Sequence, residues 1–180
     1  MPPGTAPYCA VRPFGRIKEA DIRILIHAVG RMKVGPEREL ADRFLDRLQK
    51  SGPAVGIEFS GVIECAESRA QSPNERKREE GRKLNELAEA GVTILLDERG
   101  KNISSRALAE MIARYRNEGV KQVTFAIGGP DGHDDEARAT AELAISFGAQ
   151  TWPHQLMRIM LAEQLYRSVT ILAGHPYHRD

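Results

Sequence analysis

Four β-type runs recur along the chain, and a helix-patterned stretch separates each from the next. They are "IRILIHAVG" at 22–30, "VGIEFSGVIEC" at 55–65, "VTILLDERG" at 92–100 and "VTFAIGG" at 123–129. Strands joined through helices do not turn back as hairpins. Each connection crosses over and lays the next strand parallel to the last. The alternation therefore predicts an α/β fold, a largely parallel sheet flanked by helices.

The intervening segments carry helix signals. In "GPERELADRFLDRLQ", Pro36 suits a first helical position, and Leu40, Phe44 and Leu48 form one face with Ala41 and Leu45 beside it. Ser72 followed by Glu75 reads as a capping box with Pro73 just inside, and Leu84, Leu87 and Ala88 lead to a stop at Gly91. Ser104 or Ser105 caps a helix whose apolar face is Leu108, Met111, Ile112 and Tyr115. "DDEARATAELAISFG" reads as one helix with acid at its N-terminus. "HQLMRIMLAEQLYRSVTILAG" is apolar on most faces, which predicts a buried last helix, partly against a second subunit.

The bounds on function are mostly exclusions. At 180 residues the chain is one domain at 21–180 behind a proline-rich leader at 1–20. The leader has no apolar h-region and no run reaches membrane-spanning length, so the expectation is a cytoplasmic protein without a membrane partner. Cys9 and Cys65 have no metal-ligand spacing and read as free thiols. The 26 basic and 25 acidic residues give a net charge of +1, too little to grip long naked nucleic acid. Basic residues do gather between Arg69 and Lys83, either as a solvated helix face or as a contact with a nucleic-acid particle.

Two glycine-punctuated loops stand where a parallel sheet binds ligands. "FAIGGPDGHDDE" has three glycines in five residues between a strand and a helix, with neither dinucleotide nor nucleoside-triphosphate spacing. Its acids favour a neutral or cationic ligand over a phosphate. "SFGAQTWPHQ", read as a loop between two helices, holds the single tryptophan and could wall a flat ligand. No metal spacing or nucleophile elbow occurs, so no metal is expected. His27 reads as structural. The ending "GHPYHRD" instead clusters His175, Tyr177, His178 and Arg179, a fork for phosphate beside a face for a base.

These stretches together resemble a known family. "HAVGRMKVGPE", "LLDERGK", "IGGPDG", "SFGAQTWPHQLMR", "LAEQLYR" and "AGHPYHRD" are similar, in order over roughly 22–180, to the RlmH family of SPOUT-class methyltransferases. The resemblance implies an α/β SPOUT fold with a C-terminal trefoil knot, a homodimer, and S-adenosylmethionine (SAM) as methyl donor. It implies methylation at N3 of a pseudouridine of 23S rRNA in the assembled ribosome, which suits the near-neutral charge. Family cofactor contacts fall on Leu96, Gly129, Gly148, Ala149, Gln150, Thr151, Trp152 and Pro153. Tail positions fall on Arg167, His175, Tyr177, His178 and Arg179. Of these, Arg167, Tyr177 and His178 are expected to be catalytic, with His178 taking the N3 proton. Arg167, His175 and Arg179 are expected to hold RNA. His133 stands where an apolar residue is expected. The competing readings are a non-catalytic ribosome- or RNA-binding protein with the same fold, a SPOUT enzyme acting on tRNA, and a Rossmann-type oxidoreductase, which the missing fingerprint disfavours.

Overall fold

A computed structural model of the chain describes residues 21–88 and 91–178. The leader at 1–20, Arg179 and the side chains of Leu87 and Ala88 lie outside the described residues. The strands are β1 (Ile22–Val29), β2 (Ile57–Cys65), β3 (Val92–Asn102), β4 (Gln122–Ile127) and β5 (Leu143–Ser146). The helices are α1 (Pro36–Ser51), α2 (Pro73–Ala88), α3 (Ser105–Asn117), α4 (Asp135–Thr140) and α5 (His154–Leu172). A short 3-10 turn, Gly52–Val55, joins α1 to β2. The sheet runs β2-β1-β4-β3-β5, and every neighbouring pair is parallel.

Local chemistry sets several boundaries as the sequence predicts. The Ser72 hydroxyl accepts from the Glu75 amide at 3.2 Å, and the Glu75 carboxylate accepts from the Ser72 amide at 3.4 Å, a reciprocal capping box. Ser104 caps α3 by accepting from Ala107 N–H at 3.1 Å. Ile22, Ile24, Ile94, Phe125, Ile145 and Leu161 are fully buried where the helices close over the sheet. Burial on both faces is what near-continuous apolar strands of a parallel sheet require. The helix α5 packs on α1 and α3 and places Leu161, Leu165 and Val169 in that core. Leu40, grouped with the buried face of α1 by its spacing, is instead 37% exposed.

The segment read as one helix from Asp134 to Gly148 is two elements. Asp134 caps α4, whose backbone turns extended at Ala141 (ψ 141°). Glu142 N–H then donates to Thr93 O at 3.0 Å, and β5 runs along the edge of β3. An alanine-rich sequence favours helix locally. Burial of Ile145 against the sheet and the ladder with β3 override that preference. The loop at 146–153 consequently follows a strand, not a helix.

One irregularity shapes the site. Leu96 and Lys101 both pair with Ile145, so residues 97–100 bulge out of β3. Gly100 brings the chain back. A Cβ there would lie 2.5 Å from the carbonyl carbon of Ile145, so only glycine fits without displacing backbone.

Candidate active site

At the C-terminal ends of β4 and β5, beside the bulge of β3, a cleft of about 220 Å³ opens. This is the end of a parallel sheet at which ligands bind. Its walls are the bulge at Leu96–Arg99, the glycine loop from Ile127 to Gly132, and the β5–α5 loop, with His154 and Met157 of α5 behind. Of the expected cofactor residues, Leu96, Gly129, Gly148, Gln150, Thr151 and Trp152 line it, and Ala149 and Pro153 do not. Trp152 presents a buried indole Nε1–H to which the described residues offer no hydrogen-bond acceptor. The Ser146 hydroxyl shapes the third wall, donating to Gly148 O at 2.7 Å and accepting Gly148 N–H at 3.2 Å. Gly148 has φ +113°, a conformation glycine supplies without strain.

The acids of the glycine loop are already engaged. Asp131 takes both arms of the Arg76 guanidinium, at 2.6 and 3.2 Å, and those bonds hold its carboxyl below the usual range. Asp134 accepts Ala137 N–H at 2.7 Å as the cap of α4. Asp97, on the bulge, accepts from Arg138 Nε at 3.0 Å and Nη2 at 2.7 Å, and from Arg99 N–H at 2.9 Å. Burial works to raise Asp97, and the Arg99 amide and Arg138 outweigh it, leaving the carboxyl lowered. Asp135 and Glu136, in the first turn of α4, do not line the cleft, and each has a partner, Asp135 at 4.0 Å from Arg138 and Glu136 accepting from Asn85 Nδ2 at 3.5 Å, so none of these carboxylates stands open to a cation there.

The same bonds explain how the loop is held. Arg76 belongs to the basic segment on α2, so its charge is spent on the glycine loop, while Arg69, Arg78, Arg82 and Lys83 remain exposed. Glu80 of α2 is buried and accepts Ser68 N–H at 2.9 Å. A Cβ on Gly129 would lie 2.6 Å from Glu80 Oε2, so α2 presses directly on the loop at a glycine. Burial raises the Glu80 carboxyl. His133 is buried where an apolar side chain was expected, and its Nε2 meets Leu96 O at 3.2 Å. A carbonyl oxygen only accepts, so Nε2 carries the proton and ties the glycine loop to β3 just before its bulge. Burial lowers the His133 pKa, as it does that of His154 behind the cleft. His27, in mid-β1, is 1% exposed with a pKa lowered to about 4 by burial and by neighbouring His133, Lys83 and Arg158.

Sequence reasoning missed Arg158. It is buried on α5, pairs with Glu64 of β2 at 2.5 Å, and donates to Val29 O at 3.2 Å and to Gly30 O. One side chain thus ties the start of α5 to the ends of β1 and β2. An arginine inside an otherwise apolar stretch of helix was the signal available.

The tail forms a second cluster on α5, and none of its described residues lines the cleft. Arg167 Nε donates to Glu163 Oε1 at 2.9 Å, and Tyr177 Oη donates to the same oxygen at 3.1 Å. The Arg167 guanidinium lies 5.0 Å from the Tyr177 ring centroid, and Tyr177 packs on Tyr166 at 4.9 Å. Arg167 Nη1 reaches His178 Nδ1 at 3.4 Å. His175 shapes the turn, its Nδ1 accepting Tyr177 N–H at 3.1 Å. A larger cavity of about 450 Å³, with Glu163 and Gln164 in its wall, shares Ser146 and Phe147 with the cleft.

Comparison with known proteins agrees with this architecture. A family profile described as "Predicted SPOUT methyltransferase" matches residues 22–178. The chain belongs to the SPOUT methyltransferase family. Within it, the chain is 69% identical to a ribosomal RNA large subunit methyltransferase H of Chelativorans sp., over 90% of this chain and 94% of that protein. A protein of the same name from Mesorhizobium japonicum is 60% identical over 88% of this chain and 99% of its own length. One from Brucella anthropi is 55% identical over 88% of this chain and the whole of its own. The five-stranded parallel sheet flanked by helices is the scaffold of this SPOUT chain. Among the described residues no helix is long and apolar enough to cross a membrane, and no group of three His, Cys, Asp or Glu side chains could hold a metal ion.

Proposed function

We propose that this chain is a SAM-dependent methyltransferase that methylates N3 of a pseudouridine in 23S rRNA of assembled ribosomes, working in the cytoplasm as a homodimer. The observation that carries the reading is 69% identity, over nearly the full length of both chains, to a protein named ribosomal RNA large subunit methyltransferase H. The cleft supports it. Glycine backbones at Gly129 and Gly148 permit close approach of a ligand in the cleft. When bound, SAM supplies a methyl group on a sulfonium centre. Gly129, Gly148, Gln150, Thr151 and Trp152 would hold it. His154, its pKa lowered by burial, and Met157 back the cleft.

The tail would act on the acceptor base. For N3 to attack, its imide proton must leave, and a histidine is a suitable acceptor. Arg167 Nη1 lies 3.4 Å from His178 Nδ1 and orients the ring. Tyr177 offers a ring face for stacking. Arg167, already paired to Glu163, orients this group, which leaves phosphate binding to residues such as the exposed Arg78, Arg82 and Lys83. The knot and the dimer belong to the same reading. In support, α5 returns from the β5 edge to pack on α1 and α3, and Leu40 and Leu156 leave apolar surface on these helices.

The test is transfer of labelled methyl from SAM to ribosomes lacking the modification, with naked rRNA and tRNA alongside and the product nucleoside identified by mass spectrometry. Label at N3 of pseudouridine in ribosomes alone is the expected result. Label in tRNA would move the enzyme to another substrate. SAM binding without transfer to any RNA would refute the activity.

A further inference from the structure

The geometry points to Glu163 as the residue that positions the C-terminal tail for methyl transfer, by gathering Arg167 and Tyr177 onto one carboxylate oxygen. The inference rests on the proposed activity and deepens it by naming a residue that acts through others.

The sequence "LAEQLYR" sets the arrangement. Residues three and four apart share a helix face, so Glu163, Tyr166 and Arg167 stand together. An exposed Glu–Arg pair at this spacing would ordinarily mean little. This pair is different in two ways. The side chains of Arg167 and Glu163 are only 26% and 18% exposed. The same Glu163 oxygen also accepts from the Tyr177 hydroxyl, fourteen residues further along. The Tyr177 ring is then held by the guanidinium 5.0 Å from its centroid and by Tyr166 at 4.9 Å. The other carboxylate oxygen accepts from Gln164 Nε2 at 2.8 Å, and the Gln164 amide oxygen accepts from Ser105 of α3 at 2.7 Å. Glu163 thus couples the tail through α5 to a second helix, and both of its oxygens are fixed. His178, reached by Arg167, takes its place from this group.

Two physical consequences follow. Glu163 compensates the charge of Arg167, which makes that arginine a support and not a free phosphate hand. A Tyr177 phenolate would stand against the Glu163 carboxylate. Burial and that carboxylate together keep the phenol raised above its usual range, so Tyr177 stays protonated and donating at the pH of catalysis.

The experiment compares E163A, E163Q and wild type in kcat, in KM for ribosomes, in Kd for SAM, and in hydrogen exchange of the amides from His175 to His178. Glu163 does not line the cofactor cleft, so SAM affinity should stay within twofold. E163A should lower kcat at least tenfold and speed tail exchange at least tenfold. E163Q keeps an acceptor for the tyrosine hydroxyl and should recover part of both. Its Tyr177, followed by ultraviolet titration against a Y177F control, should ionise at lower pH than in wild type. Wild-type kcat in E163A overturns the proposal, whether or not the tail loosens. A lowered kcat with unchanged tail exchange also overturns it. If E163A does not fold, the kcat, tail exchange and tyrosine titration of E163Q decide by the same criteria. If wild type methylates no RNA, the proposed activity fails by itself, and the exchange data still decide whether Glu163 holds the tail.

Discussion

Replacing Arg158 with methionine keeps most of the side chain's length and removes only its charge and donors. The side chain is 8% exposed and its partner Glu64 is 24% exposed. Breaking a buried pair by removing one member costs about 3–5 kcal/mol. The partial hydration of Glu64 places this case nearer 2–3 kcal/mol. The carbonyls of Val29 and Gly30 lose their Arg158 donors as well, which adds roughly 1 kcal/mol. The sum, about 3–4 kcal/mol, corresponds to a fall in melting temperature of roughly 6–16 °C for a chain of this size. Calorimetry checks it, with denaturant titration as an independent measure. Glu64 keeps Met32 N–H at 3.0 Å and Arg38 at 3.9 Å as partners, so the double variant R158M/E64Q should regain only a minor part of the loss. Lysine at 158 should behave more like methionine than like arginine, because one ammonium cannot span three acceptors. An R158M protein within about 1 kcal/mol of wild type would refute the reasoning, and the pair would be surface decoration.

Other consequences are equally direct. Gly100→Ala puts a methyl group against the backbone of Ile145, so β3 and β5 must separate; SAM affinity measured by calorimetry should fall at least tenfold, together with thermal stability. Arg76→Asp should weaken SAM binding severalfold by freeing the glycine loop, and adding Asp131→Arg should restore much of it; equal affinity in all three proteins would show that the loop needs no anchor on α2. His27 has a folded pKa of about 4, below its unfolded value near 6.5. Its contribution is complete above pH 6.5 and is lost as pH falls toward 4, by at most about 3 kcal/mol, because the unfolded chain takes up the proton first. Stability measured from pH 7.5 to 4 should therefore drop more steeply in wild type than in H27Q. His133, lowered in the same direction, leaves a residual slope.

How much of this was legible in the sequence differs from element to element. The capping box at Ser72 and the cap at Ser104 were readable because the interactions are local and the residue types nearly specify them. Strands β1 to β4 were readable because a parallel sheet buries both faces. The β5 strand was not, although Leu143, Ile145 and Phe147 alternate, because alanines and acids around them argue for helix until β3 offers a ladder. The two glycine loops were found from turn chemistry and do meet in one cleft. What sequence could not show is which charges are spent. Asp131, Asp97 and Arg76 look like free site charges when written in a row, and their partners lie about 40 to 55 residues away. Arg158 and Glu64 are separated by 94 residues, beyond the reach of any local rule.

The packing of α5 on α1 also has a meaning in time. The first helix made must wait for the last before its apolar face is covered, and β1 must wait for β4 before its second edge is paired. At about 5–20 residues per second, the roughly 125 residues between β1 and the start of α5 take some 6–25 s to synthesise. For that interval the nascent chain carries a bare helix stripe, and until β4 is made an open β1 edge as well, the two features most prone to adhere to other chains. Substitutions that slow completion of α5 should lower soluble yield more than they lower the melting temperature of the protein that survives.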